Sequence, residues 1–492
     1  MIFITSYYLI SLYQQSSYKL TKYKKIIKKY YGLNINSILR FLILLISCAM
    51  YLYDTYILGF IILFLTFGLF KFRKKQVLKL RLTRRIIRFL LVYIVLILIS
   101  IYINYKLIAL ILFLLPIIIM LVDICLKPIE LIIYNYYFQK TKKKIKNLNN
   151  INIGITGSFG KTSVKNYLYE ILIKKYNVLK TPASYNTPMG ISKVVLNDLN
   201  QFIEIFISEL GATKVNDINT LVKLIPIDVG VITEIGYQHL ASFKNIDNII
   251  KTKLEILNSK KIKTLFINND NKYLKEYHYP NFIKVIRVGT NEDSDYLIHS
   301  IKIEFNYLEF YIKHQNNDYF FKTKLLGTHN IMNLALSIGL AFEFKLEYLD
   351  IYHSVYNIKP TINRLELKTY QDIQIIDDSF NSNPIGFNNA LDVLLLSKYK
   401  KILITPGIVE IDPKYMYILD EIIKKIITND ISIYLINNQA IKYLLVKFKE
   451  FNYKNYIIFE SFKDAYNYSI KESNSKKTIL IENDLTDYYL GG

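Results

Sequence analysis

The chain has 492 residues, of which 52% are hydrophobic, and a formal net charge of +23. This length allows about three domains. The charge belongs to one region, because residues 1–150 hold 23 Lys and Arg against three Asp and Glu, whereas the rest of the chain is nearly balanced. Since these cations accompany long apolar runs, we do not expect nucleic acid as a partner. The two cysteines, Cys48 and Cys125, exclude a disulfide framework and a Cys-ligated zinc site.

Three apolar runs dominate the first 150 residues: Ile38–Phe70, Ile86–Asn104 and Leu107–Leu126. A membrane-spanning helix needs about 20 apolar residues, so the second and third runs each predict one span. The first run contains Asp54 near its middle and fits two short spans or one long tilted span, of which we favour two. Helices buried in a soluble domain are the alternative interpretation of all three runs.

Basic clusters flank these runs at residues 19–29, 71–88 and 140–146. They lie at the outer ends of the two predicted helical hairpins, and the positive-inside rule therefore places them in the cytoplasm. The pattern predicts a membrane region of about four spans over residues 1–148, with the lipid bilayer as a partner. The expected location is the cell membrane, multi-pass, with all that follows residue 150 in the cytoplasm.

The stretch Asn152–Ser163 reads N-I-G-I-T-G-S-F-G-K-T-S and is followed by apolar residues at helical spacing. A strand, a glycine loop and a helix in this order form a cradle for nucleotide phosphates. Backbone N–H groups face the anion, a lysine neutralises it, and a Thr hydroxyl reaches Mg²⁺. The usual first glycine is missing, since Ile155 occupies its position, which leaves T-G-x-x-G-K-T.

Strand-like and helical runs then alternate, which predicts a mostly parallel sheet with ligands at the carboxyl ends of its strands. Glu209 follows the apolar run Phe202–Ile207, and His239 follows Val229–Thr233. Lys253 lies on the next helical run, Ile246–Leu257. Singly, each of these side chains has an ordinary structural explanation, as a helix cap, a satisfied histidine or a solvated lysine.

In this order, the strings T-G-x-x-G-K-T, E-L-G-A, I-T-x-I-G-x-x-H-L and K-x-E-I resemble the central domain of the Mur ligases. S-Y-N-T-P-M-G-I (184–191) and G-T-H-N-I-M-N (327–333) extend the resemblance, which covers about residues 150–490. In this family, ATP phosphorylates a carboxylate to an acyl phosphate, an amine attacks, and phosphate leaves.

The resemblance implies roles for particular residues, with ATP and Mg²⁺ as cofactors. Loop residues would bind the nucleotide phosphates: Gly157, Ser158, Gly160, Lys161, Thr162 and Ser163. Metal ligands would be Thr162, Glu209, His239 and a carbamylated Lys253, and the catalytic residues would be Lys161, Lys253 and His239. Asn330 would contact adenine, and Asn186 would belong to the substrate site.

A second α/β unit is predicted from Asn363, with strands such as 401–404, 431–436, 455–459 and 477–481. Within the resemblance, Arg364 would reach the ATP phosphates, and one of Asp377 and Asp378 would contact ribose or a metal-bound network. The string D-D-S-F-N-S-N-P (377–384) most resembles the branch that joins D-alanyl-D-alanine to a UDP-muramoyl tripeptide. It would place Asn381, Asn383 and Pro384 at the substrate.

The predicted fold class is therefore α/β: a helical membrane region (1–148), a P-loop central ATP-binding domain (149–362) and a smaller Rossmann-like C-terminal domain (363–492). We expect a monomeric ATP-dependent acid–amino-acid ligase of peptidoglycan precursor synthesis. Its substrates would be a small-molecule or lipid-linked precursor and an amino acid or dipeptide.

Two departures from the family affect this expectation. The family's soluble members carry an N-terminal domain that binds the UDP end of the substrate, and apolar runs stand in its place here. Glu234 also occupies a position where Asn is usual in I-T-N-I-G. The alternatives are a ligase that elongates a lipid-linked or polyglutamate-like acceptor and a non-catalytic nucleotide-binding membrane scaffold. A transporter ATPase lacks a convincing signature in this sequence.

Overall fold

The computed structural model describes residues 2–16, 18–30, 80–103, 108–183, 185–237, 240–360, 363–379, 384–407, 416–438, 440–472 and 476–482. The chain divides into two compact units, with the division between Tyr134 and Asn135.

The N-terminal unit is helical. Its elements are α1 (Ile2–Gln15), α2 (Leu20–Tyr30), α3 (Arg84–Ile103) and the first part of α4 (Ile108–Lys146). Each contributes buried side chains to one apolar cluster, such as Tyr13, Tyr23, Phe89 and Val122. Packing between these helices therefore buries part of the apolar surface of this region.

Charged pairs interrupt the apolar runs of α3 and α4. Asp123 is only 4% exposed, accepts a hydrogen bond from the Tyr13 hydroxyl, and lies 3.7 Å from a guanidinium nitrogen of Arg85. A guanidinium nitrogen of Arg88 donates to Glu130 at 2.6 Å. The runs that look uniformly apolar in sequence thus carry polar contacts between the helices.

Among the described residues, no helix is both long and apolar enough to cross a membrane. The predicted multi-pass membrane location is therefore wrong, and the predicted N-terminal membrane region and bilayer partner find no support in the described residues. Hydrophobic content along a run does not distinguish lipid contact from helix packing, which is the physical reason for the error. The predicted spans within residues 38–70 lie outside the described residues.

The larger unit contains a nine-stranded sheet in the order β2-β3-β1-β4-β5-β6-β7-β8-β9. Its strands are β1 (Ile151–Thr156), β2 (Val178–Lys180), β3 (Ile205–Glu209), β4 (Val229–Ile232), β5 (Thr264–Asn268), β6 (Lys284–Gly289), β7 (Tyr296–Glu304), β8 (Tyr307–His314) and β9 (Asn317–Thr323). The first seven strands of this order pair in parallel, and β7, β8 and β9 pair antiparallel.

Helices cover this sheet on two sides. They are α5 (Lys161–Leu172), α6 (Pro188–Asn197), α7 (Asp217–Leu224), α8 (Leu240–Phe243), α9 (Ile246–Leu254), α10 (Lys272–Lys275), α11 (His329–Glu343) and α12 (Tyr348–Asn357). Side chains of α5, α11 and α12 join one apolar cluster with the sheet, and those of α6, α7 and α9 join another. Buried β1 and β3 have nearly continuous apolar runs, as expected for parallel strands covered on both faces.

A second, six-stranded sheet has the order β10-β11-β15-β12-β13-β14, with only the β10–β11 pair antiparallel. Its strands are β10 (Glu366–Tyr370), β11 (Ile373–Asp378), β12 (Lys400–Thr405), β13 (Ser432–Ile436), β14 (Tyr456–Phe459) and β15 (Lys477–Glu482). Its helices are α13 (Pro384–Leu395), α14 (Met416–Thr428), α15 (Ile441–Glu450) and α16 (Phe462–Lys471). The predicted α/β class with mostly parallel sheets is confirmed for both sheets.

The sheet order places a binding crevice beside β1. The chain leaves β1 toward β2 and β3 on one side and then continues to β4 on the other. Such a reversal of strand order opens a crevice at the carboxyl ends of the strands, which is where open α/β sheets bind ligands.

Candidate functional site

A tight loop of Gly157–Gly160 joins β1 to α5. The Ser158 N–H donates to the Glu234 carbonyl at 2.6 Å, and the Ser158 hydroxyl donates to the Gly236 carbonyl at 2.8 Å. Thr233 donates to the Phe159 carbonyl at 2.5 Å. The Gly236 N–H in turn donates to Ser158 Oγ at 3.0 Å. The segment after β4 therefore holds the loop in place through several hydrogen bonds.

Both loop glycines are required by geometry. Gly157 and Gly160 have φ of 149° and 78°, where a side chain is unfavourable. A β-carbon at Gly157 would lie 2.1 Å from Thr233 Oγ1, and one at Gly160 would lie 2.4 Å from Asn333 Oδ1. The backbone thus approaches its neighbours more closely than any other residue type would permit.

The N-terminus of α5 is suited to an anion. Gly160 provides no side-chain cap, and the first helical turn contains no acidic residue. The first N–H groups of a helix lack partners within it, and they carry a partial positive charge. Lys161, Thr162 and Ser163 begin this helix, so the predicted phosphate-binding residues do lie together.

Lys161 folds back over the loop. Its ammonium donates to the Gly157 and Ser158 carbonyls at 2.8 and 2.9 Å. Burial lowers the pKa of Lys161 to about 8, Glu209 opposes this shift, and Arg364 adds to it. An anionic phosphate at the loop would raise the pKa of Lys161 again, because a nearby negative charge favours the protonated amine.

Glu209, the last residue of β3, is 2% exposed and has partners on both carboxylate oxygens. Its Oε2 accepts hydrogen bonds from Thr162 Oγ1 at 3.0 Å and from Lys165 Nζ at 3.2 Å. Its Oε1 accepts from Asn186 Nδ2 at 3.1 Å. Burial alone would raise the pKa of Glu209, but Lys165 and the other donors hold it below its usual value.

Thr162 and Glu209 fit a Mg²⁺ site. Magnesium takes hard oxygen ligands and commonly binds one or two protein oxygens together with substrate phosphates. Among the described residues no group of three or more His, Cys, Asp and Glu is placed to hold a metal ion. His239, the predicted ligand of a second ion, lies outside the described residues.

Lys253, near the end of α9, is 2% exposed. Burial and then the Lys161 cation lower its pKa to about 7, although Asp217, Glu255 and Glu209 act in the opposite direction. A neutral amine is the form that reacts with CO₂ to give a carbamate and a proton. The predicted modification is therefore chemically compatible with this environment.

Glu255, in the same K-x-E string, has a structural role. Its two carboxylate oxygens accept the backbone N–H groups of Asn216 and Asn219 at 2.7 and 3.0 Å. These groups lie at the start of α7, so Glu255 caps that helix. Glu234 is half-buried, and burial raises the pKa of its carboxyl group.

Asn330 lies at the start of α11 beside α5. Its Oδ1 accepts from the Tyr167 hydroxyl at 2.8 Å, and its Nδ2 donates to the Leu326 carbonyl at 2.6 Å. One amide hydrogen and one oxygen lone pair are left for another partner. The amide is 5% exposed, and its orientation is set by these two contacts.

Arg364 lies in the turn before β10, and its charge lowers the pKa of both Lys161 and Lys165. Asp378 accepts the Leu365 N–H at 3.2 Å, and burial raises its pKa to about 6.

Three other predicted site residues have local contacts or positions of their own. Asp377 pairs with Lys368 at 2.7 Å and accepts from the Ser379 hydroxyl, so a local network involves both its oxygens. Asn186, predicted at the substrate, donates to Glu209, and its substrate role stays a prediction. Pro384 begins α13, and the predicted substrate residues Asn381 and Asn383 lie outside the described residues.

Sequence reasoning missed Lys165, Tyr167 and Asn333. Lys165 lies three residues after Thr162 on one helix, and that spacing puts both side chains on one face. This signal was available in the sequence, but a lysine in a Lys-rich chain does not stand out. The contacts of Tyr167 and Asn333 join segments more than 160 residues apart.

The strand, glycine loop and helix at residues 151–172 have the arrangement of a P-loop, and a second α/β sheet follows in the same compact unit. The family model described as Mur ligase middle domain matches residues 155–341. The predicted resemblance to the Mur ligases is thereby confirmed for this part of the chain, and the predicted enzyme class agrees with the relatives matched, which are named as ligases.

Two relatives are UDP-N-acetylmuramoyl-tripeptide--D-alanyl-D-alanine ligases. That of Bacillus subtilis (strain 168) is 30% identical over 276 residues, which cover 56% of this chain and 59% of the relative. That of Buchnera aphidicola subsp. Baizongia pistaciae is 31% identical over 255 residues, covering 50% and 55%. The chain thus spans little more than half the length of these relatives.

A solved structure shares the fold. The MurF ligase from Thermotoga maritima in complex with ADP superposes with a TM-score of 0.64 at 21% identity, covering 73% of this chain and 82% of that chain. At this identity the likeness establishes the architecture alone.

Proposed function

We propose that this chain is an ATP-dependent carboxylate–amine ligase that adds D-alanyl-D-alanine, or a similar amine, to a peptidoglycan-precursor peptide. The observation that carries the proposal is the phosphate loop with Thr162 and Glu209 facing each other beside Lys161. The names of the relatives supply the substrate class.

The loop would bind the phosphates of ATP. Backbone N–H groups of the loop and of the first turn of α5 point toward the anion, and Lys161 would leave the loop carbonyls to neutralise it. The residues proposed here are Gly157, Ser158, Gly160, Lys161, Thr162 and Ser163. Asn330 would contact the base, and Arg364, with Asp377 or Asp378, would contribute from the C-terminal domain.

Thr162 and Glu209 would hold Mg²⁺, with His239 and carbamylated Lys253 supporting a second ion. The carbamate would replace a buried cation by an anion, which removes its repulsion of a metal. Asn381, Asn383 and Pro384 are proposed at the substrate. The domain limits 149–362 and 363–492 belong to the same proposal.

The proposed chemistry needs charge stabilisation more than a protein nucleophile. ATP with bound Mg²⁺ would supply the phosphoryl group that converts the peptide carboxylate into an acyl phosphate, and the amine would displace phosphate to form the amide. Lys161 and Arg364 would hold the charge on the transferring group. The half-buried loop would limit competing attack by water.

The test is phosphate release from ATP with UDP-muramoyl tripeptide and D-alanyl-D-alanine supplied separately and together. We expect release only with both substrates, and its loss in Lys161→Ala. Lys174→Ala removes an exposed lysine just beyond α5 and should retain activity.

Full activity of Lys161→Ala would refute the site assignment. Release with glutamate as the amine, but none with D-alanyl-D-alanine, would refute the substrate assignment. ADP binding without phosphate release from any carboxylate–amine pair would favour the non-catalytic alternative.

A further inference from the structure

Lys165 is a nearly inaccessible cation within the phosphate-binding helix. Its side chain is 1% exposed, and its ammonium lies 3.2 Å from Glu209 Oε2. The same nitrogen donates to the Ala183 carbonyl at 2.5 Å. A lysine is almost never fully buried unless it is paired, so these contacts account for its position.

Both carboxylate oxygens of Glu209 accept hydrogen bonds, from two different segments of the chain. Thr162 and Lys165, both on α5, meet its Oε2, whereas Asn186 meets its Oε1. Asn186 is itself fixed, because its carbonyl accepts the Gly211 N–H at 3.1 Å and its side chain packs where a Gly211 β-carbon would lie. The carboxylate therefore has little freedom to rotate.

Lys165 also connects two segments. Ala183 precedes Asn186 by three residues and has a φ of 40°, a conformation that an alanine rarely adopts. The ammonium joins this strained carbonyl to the carboxylate. One buried cation thus ties Ala183 to the end of β3.

We propose that Lys165 is a positioning residue for the metal ion of the ligase site. It compensates the buried charge of Glu209, fixes Oε2 beside the Thr162 hydroxyl, and anchors the Ala183 carbonyl to the same carboxylate. Lys165 does not itself touch nucleotide or metal. The inference rests on the proposed function, in which Thr162 and Glu209 hold Mg²⁺.

The expected size of the effect of replacing Lys165 follows from the behaviour of other groups that orient metal ligands. Removing such a group typically lowers metal affinity or activity about 10–100-fold. Mg²⁺ should strengthen ADP binding, and the Mg²⁺ concentration that gives half of this effect is the quantity to compare. We expect Lys165→Met, which keeps the apolar stem, to raise that concentration by about 10–100-fold. ADP affinity in EDTA should change by no more than about twofold.

The measurement is calorimetric ADP binding to the full chain in EDTA and at a series of Mg²⁺ concentrations. Lys477→Met is the matched control, because Lys477, on β15 of the six-stranded sheet, is also 1% exposed. Its ammonium donates to the carbonyls of Ile470 and Glu472, at the end of α16. This variant should leave the Mg²⁺ dependence unchanged. An unchanged Mg²⁺ dependence in folded Lys165→Met would overturn the inference.

A double variant covers the case in which Lys165→Met does not fold. Glu209→Gln with Lys165→Met leaves neither buried charge alone and is compared with Glu209→Gln. If Lys165 acts through Glu209, both should show the same residual Mg²⁺ response. A further loss of about tenfold in the double variant would overturn the inference, because it would mean an independent role.

The outcomes separate this inference from the proposed function. Lys165-dependent binding of ADP and Mg²⁺ without ligase turnover would refute the proposed function alone. Turnover with an unaltered Mg²⁺ response in Lys165→Met would refute the inference alone. A wild-type chain whose ADP binding ignores Mg²⁺ would refute both.

Discussion

Replacing Gly160 with alanine puts a methyl group into the tightest point of the phosphate loop. The residue has a φ of 78°, and the new β-carbon would lie 2.4 Å from Asn333 Oδ1. The left-handed backbone costs a non-glycine residue about 1–2 kcal/mol. Crowding in a packed site adds about 1–3 kcal/mol.

Gly407 separates the two contributions. Its φ is 74°, almost the same, but a β-carbon added there would have its nearest neighbouring atoms 3.5 Å away. Gly407→Ala should therefore show the backbone contribution alone, about 1–2 kcal/mol. Gly160→Ala should cost about 2–5 kcal/mol in the free energy of unfolding, the sum of both contributions.

The assay is urea unfolding of both variants, together with Asn333→Ala and Gly160→Ala/Asn333→Ala. Removing the Asn333 amide should relieve the crowding, so Gly160→Ala should cost less stability in the Asn333→Ala background than in the wild type. The expected coupling free energy between the two substitutions is about 1–3 kcal/mol. ADP affinity should follow the same order. Equal destabilisation by Gly160→Ala and Gly407→Ala, with no coupling to Asn333, would refute the reasoning.

Three further predictions concern other parts of the site. Lys253→Ala should lose activity and regain it with an added small carboxylic acid, and wild-type activity should fall in bicarbonate-free buffer, because both changes act on the proposed carbamate. Asp378 has a folded pKa of about 6, above its ordinary 3.8, so its stabilising contribution is full at low pH and is lost as pH rises through 6. Asp378→Asn should therefore be more stable than wild type at pH 8 and show a flatter melting-temperature profile between pH 4 and 8. Tyr167→Phe removes the donor to Asn330 Oδ1 and should cost about 1–3 kcal/mol in urea unfolding and weaken ADP binding.

Matched variants control these measurements. Lys251→Ala changes an exposed lysine on the helix of Lys253. This variant should keep its activity, gain nothing from an added carboxylic acid, and depend on bicarbonate as the wild type does. Asp372→Asn changes an exposed carboxyl in the turn before β11. If it changed the pH dependence of the melting temperature as much as Asp378→Asn does, the pH effect could not be assigned to the buried Asp378 carboxyl. Tyr169→Phe, on the same helix as Tyr167, should leave ADP affinity intact.

The local part of the site could be predicted from sequence. The stretch Asn152–Ser163 contains its strand residues, turn glycines and helix residues in one continuous run, so short-range preferences determine the loop. The predicted strand ending near Ile207 continues two residues further, to Glu209. The antiparallel strands β7–β9 depart from the alternating strand–helix pattern on which the prediction of a parallel sheet rests.

The N-terminal region shows where sequence information was insufficient. The run Leu107–Leu126 has the hydrophobicity of a span, but its interpretation depended on what surrounds it. Asp123 is compatible with burial because Tyr13, 110 residues away, and Arg85 meet it. Such partners cannot be derived from the composition of the run itself.

The glycine loop and the proposed class of chemistry follow from contiguous residues, so local sequence is enough to predict them. The groups that surround the loop depend instead on how the chain folds. Glu209 is paired with Lys165 and Asn186, whereas Glu255 caps a helix, although both are acidic residues in family-like strings. The physical reason is that burial and pairing are properties of three-dimensional neighbours, which parallel strands bring together across long stretches of chain.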